Sequence, residues 1–213
     1  MAQPMMHLLV AERVYNSGCI PIQAYGDFLL GSIAPDAVHM KANYERRLKD
    51  ISHYKFDSRS PIRIFDGFMK KYGATGNQDF AYGYLVHLLS DMIWYHEVRV
   101  PFKERFAQNP SKDMSMNEAY YADCEQLEQM LYEDEKAADV IESLKVSNAI
   151  TLDGLIEAEN VEKWKDVLLE KYDSRTKVFE DTVYISKQQV EDYIVICTKQ
   201  CLVYLEEQGL TCK

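Results

Sequence analysis

The feature that most constrains the fold is an apolar segment that carries a histidine and an aspartate four residues apart. Residues 83–94 read GYLVHLLSDMIW. At about 100° per residue in a helix, His87 and Asp91 lie about 40° apart, and apolar side chains cover the other sides. The segment therefore predicts a helix that is buried on all sides and carries two polar groups into the core.

These two polar groups need partners. Burying an imidazole and a carboxylate without partners costs on the order of several kcal/mol. A divalent metal ion would use both, since imidazole and carboxylate are zinc ligands, and Gly83 would leave space for it one turn below. Alternatively, His87 and Asp91 form a hydrogen-bonded pair in a metal-free core. The motif alone leaves both solutions open.

The rest of the chain also has helical periodicity. Of its 213 residues, 47% are hydrophobic, which is enough for one substantial core. Residues 39–60 are polar and are predicted to form a loop, and a strand-like alternation appears at 182–185. We expect a single all-α domain of several helices around the central buried helix that carries His87 and Asp91. Helices are predicted over about 4–16, 22–33, 61–71, 77–99, 120–135, 136–146, 161–172 and 190–207. Ser115 and Glu118 fit a capping box before the helix at 120–135.

Charge divides the chain into two halves. Residues 1–110 hold 13 Lys and Arg against 11 Asp and Glu, a net of +2, and all five histidines. Residues 111–213 hold 11 against 23, a net of −12. We expect the chemistry in the first half and a supporting role for the acidic second half. This balance disfavours a long nucleic acid as partner. Basic residues that could receive a small anion are Arg46, Arg47, Lys49, Lys70 and Lys71.

The sequence also suggests a location. No apolar stretch approaches the roughly 18 residues of a membrane helix, and residues 1–7 lack the features of a signal peptide. The five cysteines form no C-x-x-C motif, which suits reduced thiols. We expect a cytoplasmic protein without a transmembrane segment. The sequence gives no oligomeric state.

Three more polar residues stand in apolar or rigid settings. His7 lies on the inner face of the first predicted helix, Asp36 follows a proline turn, and His53 lies in the predicted loop. A single histidine on an apolar face is usually a satisfied core residue. Several such residues that converge from different elements favour a metal site.

Four motifs in this order resemble the zinc-dependent phospholipase C family, which shares its fold with the fungal single-strand-specific nucleases. The resemblance covers about residues 5–100, and the order and rough spacing of the motifs are more specific than any one of them. The motifs are His7-x3-Ala11, FLLGSIAPD at 28–36, SHY at 52–54 and GYLVHLLSD at 83–91.

The resemblance implies an all-helical domain with a cluster of zinc ions that hydrolyses phosphoesters. Asp36, His53, His87 and Asp91 match the ligands of one zinc. Asp91 would also bridge to a second metal, for which His7 matches the family's early histidine. Asp36 also matches the carboxylate proposed as general base. In such a site zinc lowers the pKa of a bound water to about 7.

The chain also departs from the family pattern. No histidine follows His96, so the later histidine and the His-x-x-x-Glu pair of the family have no counterpart, nor does the processed N-terminal tryptophan of its extracellular members. His96 is a further metal candidate, although it lies about 180° around the helix from His87. His39, close to Asp36, is a candidate substrate or supporting contact, with exposed loop as the alternative. These residues support one complete zinc site and one partial site.

Our leading hypothesis is a zinc-dependent phosphoester hydrolase, a phosphodiesterase or phosphomonoesterase that acts on a small substrate. The missing His-x-x-x-Glu pair favours an alternative, a non-catalytic helical domain of the same fold with at most one structural metal. A metal-free His–Asp network in the core is the third hypothesis. It predicts that chelators leave thermal stability unchanged.

Overall fold

The central helix predicted from residues 83–94 is present in the computed structural model of the protein. The structure describes residues 2–54, 67–68, 70–73, 78–133, 135–174, 181–207 and 209–210. The central helix runs over Gln78–Trp94, and 13 of its 17 residues are buried, among them His87. A helix that buries most of its surface must be surrounded by other elements, and this requirement organises the fold.

The other elements surround this helix. Along the chain they are α1 (Pro4–Asn16), α2 (Tyr25–Gly31), a 3-10 helix (Ala34–Met40), α3 (Arg46–Ser52), the central helix α4 (Gln78–Trp94), a π-helix (Tyr95–Arg99), α5 (Val100–Gln108), α6 (Met116–Tyr132), α7 (Glu135–Lys145), α8 (Ala158–Ser174) and α9 (Lys187–Glu207).

The predicted all-α class is confirmed. The described residues include no strand, and residues 182–185 do not form one; a single β-bridge joins Leu152 and Ile156. The predicted loop at 39–60 is wrong over α3, which is helical, and residues 55–60 lie outside the described part of the chain. Most of the predicted helix at 61–71 also lies outside it. None of the described helices combines the length and the apolar character needed to cross a bilayer.

Two glycines let α2 and α4 cross at close range. A Cβ added at Gly83 would lie 1.9 Å from the backbone oxygen of Phe28, and one added at Gly31 would lie 2.1 Å from that of Phe80. Only glycine permits this approach of two backbones. The space beside Gly83 is therefore filled by α2, and the expectation that it accommodates a metal is wrong.

The central helix continues into the π-helix because of a proline at its far end. Pro101 has no N–H with which to bond the carbonyl of Glu97 four residues earlier. The side-chain amide of Gln189 donates to that carbonyl instead, at 2.8 Å. His96 lies in this π-helix and is exposed.

The acidic half packs against the first half, as expected. α8 packs on the 3-10 helix, and α9 packs on α1 and α4. The predicted capping box at the start of α6 is present, since Ser115 and Glu118 each accept a hydrogen bond from the other's backbone N–H. The buried Glu128 on α6 accepts hydrogen bonds from the Met5 N–H, Lys171 and Tyr172. These bonds tie α1 to α6 and α8.

Candidate metal centre

Five of the residues singled out in the sequence come together at the centre of the fold. His7 comes from α1, Asp36 from the 3-10 helix, His53 from the end of α3, and His87 and Asp91 from α4. The three histidines and Asp36 are buried, and the side chain of Asp91 is 11% exposed. Four separate elements thus deliver imidazole and carboxylate groups to one place.

Local turns position two of these residues. The 3-10 helix carries Pro35 in its first turn, and Asp36 follows this proline directly, so the rigid turn expected there is present. His53 is the residue after α3, where its backbone N–H bonds the carbonyl of Lys49 at 2.9 Å. The next residue, Tyr54, has a φ of 55°, a left-handed conformation that stops the helix at this point.

Backbone carbonyls fix the proton on two of the imidazole rings. Nδ1 of His87 lies 2.8 Å from the backbone oxygen of Ser32, and Nδ1 of His53 lies 3.0 Å from that of Lys49. A carbonyl oxygen can only accept, so each Nδ1 carries a proton and donates it. In the neutral ring this leaves the lone pair on Nε2, which is the arrangement usual for metal-binding histidines.

The Ser90 hydroxyl fixes the position of the proton on the third ring, that of His7. The Ser90 hydroxyl donates its proton to the backbone oxygen of His87 at 2.9 Å, so its oxygen accepts from Nδ1 of His7 at 2.6 Å. Nε2 of His7 is again left with a lone pair. We did not single out Ser90 in the sequence, although its position three residues after His87 on the buried helix is a usable signal.

Nε2 of His53 lies at metal-ligand separations from three other donor atoms. Nε2 of His53 lies 3.4 Å from Nε2 of His87, 3.5 Å from Oδ1 of Asp36 and 3.6 Å from Oδ2 of Asp91. Four ligands at tetrahedral zinc bond lengths lie roughly 3.3–3.6 Å apart. Two imidazole nitrogens and two carboxylate oxygens are also a donor set that zinc accepts.

The protein leaves several of these buried atoms without hydrogen-bond partners. Nε2 of His7, Oδ1 of Asp36 and Oδ1 of Asp91 are buried and have no hydrogen-bond partner among the described residues. The His7 ring stacks on that of His87 with centroids 3.9 Å apart, and its Nε2 lies 3.8 Å from Oδ1 of Asp91. Buried polar atoms without partners are rare and costly. Metal coordination would satisfy all three, so the residues fit a metal ion.

Two overlapping groups have ligand atoms within 4.8 Å of one another, and His87 belongs to both. One consists of His7, Asp36 and His87, and the other of His53, His87 and Asp91. The described residues therefore offer donors for more than one position in the same cluster.

Burial sets the charge state of this cluster. Burial, with a smaller contribution from His87, lowers the pKa of His7 to about 3, and burial also lowers the pKa of His87. Burial alone would raise the pKa of Asp36 and Asp91, but the positive charge that the neighbouring histidines take up in acid, with Lys49 beside Asp36, outweighs it, so both pKa values lie below the ordinary one. Neutral imidazoles and ionised carboxylates are the forms that bind metals.

A cavity of about 490 Å³ adjoins the cluster at Asp36. Its lining is charged and aromatic, and part of it comes from α6 and α8 of the acidic half. The sequence indicated no contribution from that half to the site. The lining residues are Ala2, Gln3, Pro4, Asp36, His39, Tyr44, Arg46, Lys49, Asp50, Tyr121 and Trp164.

The remaining candidates divide between this cavity and the surface. His39 is exposed, lies against the Tyr44 ring and lines the cavity, which fits a substrate contact better than a metal ligand. His96 lies against Tyr95 and belongs to neither metal-ligand group among the described residues. Arg46 and Lys49 line the cavity, whereas Arg47, Lys70 and Lys71 do not.

Comparison with known proteins gives one match. A family model described as zinc dependent phospholipase C matches residues 6–145, which is more than half of the chain. No curated protein and no solved structure matches the chain. The matched region contains all five residues of the cluster.

Proposed function

The chain belongs to the zinc-dependent phospholipase C family, and we propose that it is a zinc-dependent hydrolase of small phosphoesters. One observation carries the proposal. The Nε2 atom of His53 lies 3.4–3.6 Å from three other donor atoms, and the cluster they form adjoins a cavity. Donors so placed suit a metal ion, and the cavity gives a substrate access to it.

Asp36, His53, His87 and Asp91 would hold the first zinc. Asp91 directs Oδ2 toward His53 and Oδ1 toward His7, so it is placed to bridge to a second, partial site that includes His7. Bound zinc supplies a water of lowered pKa and a positive charge that polarises a phosphoryl oxygen.

Asp36 is the residue that we assign as proton acceptor. It lines the cavity, and it is ionised at neutral pH because its pKa lies below the ordinary value. With Oδ1 on the metal, the second oxygen of this carboxylate would be available to take a proton from the attacking water. Lys49, whose Nζ lies 3.6 Å from Oδ1, balances the charge of this carboxylate.

Metal content tests the proposal most directly. Protein purified without added zinc should contain at least one tightly bound transition metal per chain by mass spectrometry. It should also hydrolyse a nitrophenyl phosphoester, and Asp36→Asn should reduce that rate by a factor of about 100 or more. Less than one metal per chain in the wild type would contradict the proposal.

A non-catalytic helical domain is the second candidate, and a specific observation favours it. Four protein donors are available, and a zinc site closed by four protein ligands is structural rather than catalytic. The coordination sphere of the loaded protein separates the two. X-ray absorption that shows four protein ligands and no water supports the structural role, whereas one coordinated water supports hydrolysis.

A further inference from the structure

The cavity beside Asp36 contains two cationic side chains that the metal centre does not require as ligands. We infer that Lys49 and Arg46 bind the phosphate group of the substrate. This inference rests on the proposed function and names the phosphate-binding residues of the same site.

Lys49 is held next to the metal centre with donor capacity to spare. Its Nζ lies 3.6 Å from Oδ1 of Asp36, which is too long for a strong hydrogen bond, and its side chain is 19% exposed. An ammonium group has three N–H donors. The backbone carbonyl of the same residue accepts the Nδ1 proton of His53. Lys49 therefore contacts the metal centre in two ways. Its backbone carbonyl orients the ring of His53, and its ammonium group lies beside Asp36.

Arg46 lies one turn before Lys49 on the same face of α3. Residues three apart on a helix are neighbours, and both side chains line the cavity. Arg46 forms no ion pair with any residue that the structure describes. A guanidinium group offers five N–H donors in a planar arrangement that matches phosphate oxygens. Two cationic side chains thus line the same cavity.

The acidic half also contributes to the lining of the cavity. Trp164, from α8, lines it, but Nε1 of this residue is buried away from solvent. Arg46 and Lys49 are therefore the donors that we assign to the phosphate.

The charge balance favours an anion. Arg46, Lys49 and a divalent cation carry four positive charges, whereas Asp36 and Asp50 in the lining and the metal ligand Asp91 carry three negative ones. The loaded site would therefore be net positive, and a phosphate group carries at least one negative charge at pH 7.

Titration of the zinc-loaded full-length protein with inorganic phosphate by calorimetry tests this inference. Lys49→Met and Arg46→Met should each raise the phosphate Kd about tenfold or more, because each removes a charged hydrogen bond. Arg47→Met is the matched control. It removes the same charge from the neighbouring residue, which does not line the cavity, and should change the Kd less than twofold.

The same variants are then compared on 4-nitrophenyl phosphate and bis(4-nitrophenyl) phosphate. Lys49→Met should raise the KM for the ester that the wild type hydrolyses, whereas Lys49→Arg, which keeps the charge, should restore most of the affinity. Unchanged phosphate Kd values in both methionine variants, with metal bound and the far-UV spectrum intact, would overturn this inference and leave the hydrolase standing. A wild type without metal overturns the proposed function instead.

Discussion

The metal centre and the acidic half bury their carboxylates in opposite ways. In the acidic half, Glu128 accepts three hydrogen bonds, and Asp123 accepts the backbone N–H groups of residues 183–185. In the candidate metal centre, one oxygen each of Asp36 and Asp91 is buried without a hydrogen-bond partner among the described residues. Both kinds of carboxylate are removed from water, but only the first kind is satisfied by the described protein.

This difference separates a structural role from a functional one. The hydrogen bonds of Glu128 and Asp123 connect segments that are distant in sequence. These bonds stabilise the folded chain as soon as it forms. Burying the oxygens of Asp36 and Asp91 without partners instead destabilises the folded state. A ligand from outside the chain would remove this cost. Changes in the two regions should therefore affect different properties, metal binding in one and stability alone in the other.

The largest expected effect is the loss of metal from His87→Ala. His87 belongs to both groups of ligand atoms, so its removal should weaken metal affinity more than about 100-fold, beyond the loss seen when only an outer hydrogen-bond partner is removed. Metal content after dialysis measures this effect. The control variant His96→Ala removes a histidine from the π-helix and should retain the metal. Loss of metal from this variant would mean that the cluster extends to His96.

Chelation should destabilise the wild type. If free metal stands at about 1,000 times its Kd, binding stabilises the folded state by about 4 kcal/mol, or roughly 8–16 °C in Tm for a chain of this size. Thermal unfolding with and without a chelator measures the shift. An unchanged Tm would favour the metal-free His–Asp network.

Glu128→Gln should lower stability without affecting the metal. The substitution removes the negative charge that Lys171 faces and weakens the bonds of the Met5 N–H and Tyr172, at a cost of about 2–4 kcal/mol. Urea unfolding gives the free energy, and mass spectrometry gives the metal content. Loss of metal from a well-folded variant would remove the distinction between the two regions.

Acid should destabilise the metal-free protein more steeply than its carboxylates alone require. The unfolded state binds a proton at His7 below about pH 6.5, whereas the folded state binds it only below about pH 3. Stability should therefore fall between these values as the pH falls, by up to about 1.4 kcal/mol per pH unit. The free energy of unfolding of wild type and His7→Gln, measured across pH 4–7, tests this fall. Equal slopes of that free energy against pH in the two proteins would contradict the lowered pKa of His7.

Most of the helical architecture was predictable because its signals are local. α1 has the predicted bounds, and the capping box before α6 was evident from Ser115 and Glu118. α3 was not predicted, since Arg46–Ser52 is polar and its N-cap residue makes no side-chain cap bond. That helix packs on the 3-10 helix, a contact that no local pattern contains.

The metal centre was predictable in its residues but not in its detail. His7, Asp36, His53, His87 and Asp91 stood out because polar groups on buried faces need partners, and the family resemblance reinforced their order. Their coordination of a metal stays a prediction. The role expected for Gly83 was wrong because an empty Cβ position can admit a helix backbone as well as an ion.

The sequence by itself determined the all-α class and the residue types that meet at the centre, because helical period and burial are properties of short segments. Only the tertiary structure decided which nitrogen of each ring faces the cluster and which side chains line the cavity. The acceptors that orient the rings of His7 and His87 lie 83 and 55 residues away from them, and Trp164 reaches the cavity from the acidic half. Such contacts depend on how distant helices pack, and no pattern within one helix encodes them.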